Sequence, residues 1–153
     1  MSKEKQYEVP KWIPPPRGIA KINVDATLSK NHSIVAVAAV ARSDRGDFLG
    51  ASAVVMHGIT EAETAEILAC REGLSLASDL LVPRFRLAND CAMAIRNIQG
   101  DGMGQYGHIV REIKVRQLSF GFVEFIHKSR RSNIDAHTLA RKFIASSVGM
   151  CGF

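Results

Sequence analysis

Residues 21–28, Lys-Ile-Asn-Val-Asp-Ala-Thr-Leu, alternate Ile22, Val24, Ala26 and Leu28 with Asn23, Asp25 and Thr27. A period of two belongs to a β-strand with two different faces, so this stretch predicts a first strand carrying Asp25 on the face its apolar residues avoid. A polar turn, Ser29 to Ser33, leads to residues 34–42, which are apolar almost throughout, as a strand buried on both faces is. Asp44-Arg45-Gly46-Asp47 predicts a tight turn in which Gly46 takes positive φ, and residues 48–56 predict a third strand. A meander of three antiparallel strands is the economical arrangement.

At residue 60 the period changes from 2 to 3.6. Thr60 is a good N-cap, and Glu63, three residues on, completes a capping-box pattern. Wound at about 100° per residue, Ala62, Glu66, Ala69, Cys70, Gly73, Leu74, Leu76 and Ala77 share one side of the helix. Glu61, Thr64, Arg71, Glu72, Ser75 and Ser78 point away. Glu66 thus stands within the apolar stripe, where small neighbours would let the helix lie close to a sheet. Pro83 breaks the chain, residues 84–89 alternate as a short strand ending at Asp90, and 91–98 predict a short helix. A glycine-rich loop (100–104), a basic amphipathic helix (109–118), a strand (120–126) and a last helix (133–146) follow. The expected layout is a proline-rich lead-in over 1–18, one α/β domain over 19–146 and a tail over 147–153.

Each acid has two readings at this point. Asp25 is either an exposed acid on an edge strand or a buried one that is paired or bound to a cation, because a buried charge needs a partner. Glu66 is a salt-bridged or neutral buried glutamate, or a carboxylate brought to the sheet surface. Asp90 is a helix N-cap, or sits where α/β sheets bind ligands, at a strand-to-helix junction.

Composition narrows the classes. A chain of 153 residues, 46% hydrophobic and 23% charged, suits one domain with an ordinary core. The longest apolar run, Ile34 to Ala41, is too short to cross a bilayer, and Met1 to Glu8 holds no apolar signal core. An intracellular protein, cytoplasmic or nuclear, with no membrane partner and acting as a monomer is expected. Cys70, Cys91 and Cys151 form no Cys-x-x-Cys pair, which argues against a zinc ribbon or a disulfide scaffold. The net charge of +5 resides in the last third, where Arg111, Lys114, Arg116, Lys128, Arg130, Arg131, Arg141 and Lys142 face only Glu112, Glu124 and Asp135. That suits an anionic partner such as nucleic acid, or a solvated basic face.

The element order and four ordered motifs resemble the ribonuclease H fold. More narrowly, the chain is similar to the plant ribonuclease-H-like domain of non-long-terminal-repeat retrotransposon reverse transcriptases and their stand-alone relatives. The motifs are Trp12-x-Pro-Pro-Pro-x-Gly18 before Lys21-x-Asn23-x-Asp25; Ala65-Glu66-x-x-Ala69 before Glu72-Gly73-Leu74; Asn89-Asp90; and Arg130-x-x-Asn133-x-x-Ala136-His137-x-Leu139-Ala140-Arg141. The resemblance implies a five-stranded mixed sheet, three antiparallel strands and then two parallel additions, with helices on both faces.

The same resemblance implies a metal-dependent endonuclease that cuts the RNA strand of RNA–DNA hybrids without regard to sequence. Asp25, Glu66 and Asp90 match its three core carboxylates, which hold two Mg²⁺ ions, with Mn²⁺ as a substitute. Hard cations take oxygen ligands, and a pair about 3.5–4 Å apart can orient a water and offset charge on the phosphate. Arg130 and Asn133 match loop-fixing and phosphate-facing positions, with a plain helix-cap role open for Asn133, and Lys128 joins them as a nucleic-acid contact. The chain departs from the wider family at His137, which stands where related enzymes place a fourth acid, so His137 enters the site as an auxiliary. Asp135 falls about 200° away on a helix and does not replace that acid. His127 matches a mobile loop histidine only loosely, and a simple strand end is the alternative. A catalytically weakened or inactive domain that only binds nucleic acid is the other function the residues allow.

Overall fold

The computed structural model describes residues 16–100 and 106–151. The lead-in up to Pro15, with Trp12, most of the glycine-rich loop and the last two residues of the expected tail lie outside the described residues. The elements are β1 (Ala20–Ser29), β2 (Ile34–Arg42), β3 (Phe48–His57), α1 (Ala62–Asp79), β4 (Arg84–Asn89), α2 (Ala92–Gln99), α3 (Gly107–Gln117), β5 (Phe122–His127) and α4 (Ile134–Cys151). They form one five-stranded sheet in the order β3-β2-β1-β4-β5. β1, β2 and β3 are the antiparallel meander, and Gly46 takes φ 88° in the turn that joins β2 to β3. α1 carries the chain across to β4, parallel to β1, and α2 and α3 carry it to β5, parallel to β4. The expected fold class holds.

Alternation along β1 divides the two faces. Ile22 and Val24 enter the main core with α1, α2 and α3. Asn23 and Asp25 turn to the other face, where Ser132 and His137 meet them and where Ile144 of α4 packs on Ile34 and Ala36. Helices therefore cover both faces, and β2, apolar up to its last residue Arg42, is buried along almost its whole length. α1 lies close because Gly73 faces the sheet: a Cβ there would sit 2.6 Å from Leu87 Cδ1 and 2.8 Å from Val24 Cγ1.

Several boundaries differ from expectation. The N-cap of α1 is Glu61, not Thr60, and no side chain caps it. Glu63 does not reach back into a capping box; its Oε2 instead accepts a hydrogen bond from Asn97 Nδ2 at 2.6 Å, which ties α2 to α1. The buried face of α1 is wider than the predicted stripe, taking in Ala65, Ile67 and Leu68 while Ala62 is exposed. α1 touches α2 and α3 as well as the sheet, and a helix wheel carries no information about that second layer. β5 begins at Phe122, because Phe120 turns edge-on to Phe85 (centroids 5.0 Å apart) and the Gly121 and Phe122 amides both donate to the Pro83 carbonyl. α4 runs on to Cys151, past the expected end at Ser146 and into the expected tail. No helix among the described residues is long and apolar enough to cross a membrane.

Candidate functional site

Asp25 lies in the middle of the central strand, opposite Ala38 of β2, and is 1% exposed. The edge-strand reading is therefore excluded. β1 and β4 run parallel with Asn23 beside Ala88, so Asp90, two residues further on, comes level with Asp25. Glu66 reaches the same point from the second turn of α1. One carboxylate oxygen of each of the three acids lies within 4.8 Å of the others. Sequence places these acids far apart; the parallel crossover and the close seat of α1 bring them together.

Burial and mutual repulsion raise the proton affinity of two of these acids, Glu66 and Asp25. The Glu66 carboxyl is pushed up to about 9, first by burial and then by the charges of Asp25 and Asp90, with Asn89 and Arg130 opposing. Burial also raises Asp25, and Asp90 adds to it, against the hydrogen bond from His137. Glu66 Oε1 is enclosed and has no hydrogen-bond partner. Clustered hard oxygens with an unsatisfied buried acceptor fit a divalent cation, which would supply the missing positive charge. The three acids could hold such an ion.

Around the triad the other candidates take different places. Arg130, two-thirds exposed, donates from Nε to Asp90 Oδ2 at 3.2 Å. His137, in the first turn of α4, sets Nδ1 2.7 Å from Asp25 Oδ2. Asn133 is 1% exposed, and its Nδ2 donates to the Val24 carbonyl at 2.8 Å, so it fastens α4 to β1 rather than facing outward to a phosphate. Lys128 is half-buried beyond the end of β5, where its backbone amide donates to the Asn89 carbonyl. Its charge adds to burial in lowering the Lys21 amine to about 8. His127 is the exposed last residue of β5. Asp135 pairs with Arg42 at 2.7 Å, away from the acids.

Asn89 is the residue whose role the sequence did not disclose. Fully buried, it donates from Nδ2 to the Glu66 carbonyl (3.2 Å) and to Cys70 Sγ (3.5 Å), and its Oδ1 accepts from the Cys91 amide at 2.8 Å. It joins α1 to the end of β4, and it, not Asp90, closes the turn into α2, whose N-cap is Cys91. The Asn89-Asp90 pair was a visible signal, but an asparagine ending a strand reads equally as a turn residue. An open cleft of about 520 Å³ leads to the acids between the starts of α1 and α2, lined by Glu63, Glu66, Asp90, Met93 and Arg130 among others.

The reverse transcriptase-like family model matches residues 23–143. Among solved structures, RNase H1 from the halophilic archaeon Halobacterium salinarum NRC-1 is similar at 21% identity and a TM-score of 0.72, over 83% of this chain and 98% of that one. The N-terminal RNase H domain of a Mycobacterium tuberculosis protein, fused to maltose-binding protein, gives 16% identity and a TM-score of 0.77 over 86% and 97%. LC11-RNase H1 in complex with an RNA/DNA hybrid gives 17% and 0.68 over 84% and 99%. No curated protein matches the chain by sequence. At such identities the likeness is one of fold, whereas the family match spans β1 to α4 and includes all three acids. The chain belongs to the reverse transcriptase-like family, on a ribonuclease H fold.

Proposed function

We propose that the chain is a metal-dependent endonuclease that hydrolyses the RNA strand of RNA–DNA hybrids. The observation that carries this reading is the convergence of Asp25, Glu66 and Asp90 on one point beside an open cleft. A structural neighbour in complex with an RNA/DNA hybrid supports the substrate class. The motif that contains Ala136-His137 supports a plant, retrotransposon-derived lineage, and we further propose an intracellular protein acting as a monomer.

Asp25, Glu66 and Asp90 would hold a divalent cation, Mg²⁺ or Mn²⁺, whose chemistry when bound would be to activate a water and offset charge on the scissile phosphate. To hold it, Glu66 and Asp25, whose proton affinities are raised, would have to give up their protons. Arg130 sits at the rim with most of its guanidinium in solvent, placed to meet a phosphate while it orients Asp90. Lys128 extends the basic border. In the two-ion scheme of the resembled enzymes a fourth acid joins these three, and His137 stands in its place. Discrimination for RNA would rest on the 2′-hydroxyl and the shape of the minor groove.

A second reading, a nucleic-acid-binding domain without catalysis, draws on that same histidine and on Arg130, which already neutralises Asp90. Incubating the protein with Mg²⁺ or Mn²⁺ and a hybrid labelled in its RNA strand, beside Glu66→Gln, separates the two. The nuclease reading expects RNA cleavage that chelator and Glu66→Gln both abolish. Salt-sensitive binding of the hybrid with no metal-dependent cleavage at any protein concentration would leave only the second reading.

A further inference from the structure

We infer that the acidic centre takes one divalent cation, not two, because His137 occupies through Nδ1 the Asp25 oxygen that a second ion would need. The inference rests on the metal-centre reading above and concerns what His137 does within it. Asp25 has two carboxylate oxygens. His137 Nδ1 is 2.7 Å from Oδ2, a hydrogen-bond distance at which the Nδ1–H tautomer donates to an ionised Asp25. The imidazole at Oδ2 takes one of that oxygen's lone pairs and fills the space on that side of Asp25, where a second ion would have to bind.

Charge leads to the same result. Three carboxylates offset one dication with charge to spare, and Arg130 already neutralises part of Asp90. A second dication would face a surplus of positive charge, with a neutral or cationic imidazole where a carboxylate would have compensated it. Nor does another acid stand in: Asp135, in the same helical turn as His137, is committed to Arg42, and Glu63 to Asn97. Among the described residues, the cluster able to hold a metal contains Asp25, Glu66 and Asp90 and no fourth carboxylate.

His137 is thus a positioning residue. Its hydrogen bond holds the Asp25 carboxylate in one rotamer, and α4 is fixed over β1 for this purpose by the Asn133 bond to Val24.

Calorimetric titration of the full chain with Mn²⁺ alone, in wild type and His137→Asp, tests the inference without reference to activity. One ion per chain is expected in wild type and two in His137→Asp, where a carboxylate replaces the imidazole. Electron paramagnetic resonance at tenfold excess Mn²⁺ is a second measurement that needs no variant: wild type should show isolated bound Mn²⁺, without the dipolar coupling of a close pair. Two ions in wild type, a coupled pair in its spectrum, or one ion in a folded His137→Asp would each overturn the inference. No binding at all in wild type would instead defeat the metal centre itself, and the inference with it.

Discussion

Asn133, the residue before α4, donates from Nδ2 to the carbonyl of Val24, 109 residues earlier, at 2.8 Å. Val24 precedes Asp25, and His137 lies one helical turn beyond Asn133, so this bond, with that from Asn23 Nδ2 to the Ser132 carbonyl, sets the register between the strand that carries the acid and the helix that carries the histidine. Asn133 Oδ1 is buried without a partner. Asn133→Ala should therefore cost about 1 kcal/mol or more, because it removes a buried hydrogen bond to the Val24 carbonyl. Urea denaturation measures that loss, and Mn²⁺ affinity should weaken with it as His137 loses its register. A variant as stable as wild type would show that packing alone seats α4.

Glu66 predicts a stability profile with a definite sign. The folded protein keeps its proton up to about pH 9, whereas the unfolded chain releases it near the ordinary value of 4.5. Between those limits the folded state binds more protons, so this group's contribution is complete below pH 4.5 and is lost as the pH rises to 9. Glu66→Gln copies the neutral form. At or below pH 4.5 without metal its melting temperature should match that of wild type, and it should exceed it by a growing margin as the pH rises toward 9. A large loss of stability at pH 7 would show that Glu66 is ionised in the fold.

Metal binding should run the opposite way with pH. An ion can occupy the centre only when Glu66 gives up its proton, and Asp25 is raised in the same direction. Apparent Mn²⁺ affinity should climb between pH 5.5 and 8.5, by up to about tenfold per pH unit for each proton released. Titrations in two buffers of different ionisation enthalpy count the protons directly. A flat profile would mean that the ion binds elsewhere.

Gly73 is the point where α1 meets the sheet. Alanine normally favours a helix over glycine by about 1 kcal/mol. Here its methyl would press on Leu87 and Val24, and overpacking of this kind costs about 1–3 kcal/mol. Gly73→Ala should be net destabilising, and by lifting α1 it should also move Glu66 away from Asp25 and weaken Mn²⁺ binding. A gain in the denaturation midpoint would show that the side chains at the contact yield freely.

Much of this molecule is legible from local pattern. The period of two over residues 21–28, the change to 3.6 after Thr60 and the breaks at Gly46 and Pro83 mark elements whose positions agree with the structure to within a few residues, because backbone periodicity is a local property. The acids were visible as anomalies against those patterns: a charge in mid-strand at Asp25 and a carboxylate on an apolar helix face at Glu66. Local rules failed where a distant partner decided the outcome. The capping box at Thr60 is absent because Asn97 of another helix takes Glu63, and Phe120 leaves β5 to pack on Phe85.

The roles of individual polar residues were the least legible. Asn89, Asn133 and His137 each carry side chains that suit a cap, a ligand or a phosphate contact, and spacing cannot choose among these. Sequence by itself determined which residues alternate, which segments bury a face and where charge stands against the pattern, since these depend on neighbours along the chain. Tertiary structure alone decided that β1 is central, that Asp90 comes level with Asp25, and that His137 closes on Asp25 while Asn133 turns inward. Those outcomes depend on the parallel crossover and on the seat of α4, contacts between residues some tens to a hundred positions apart, and no local period encodes them.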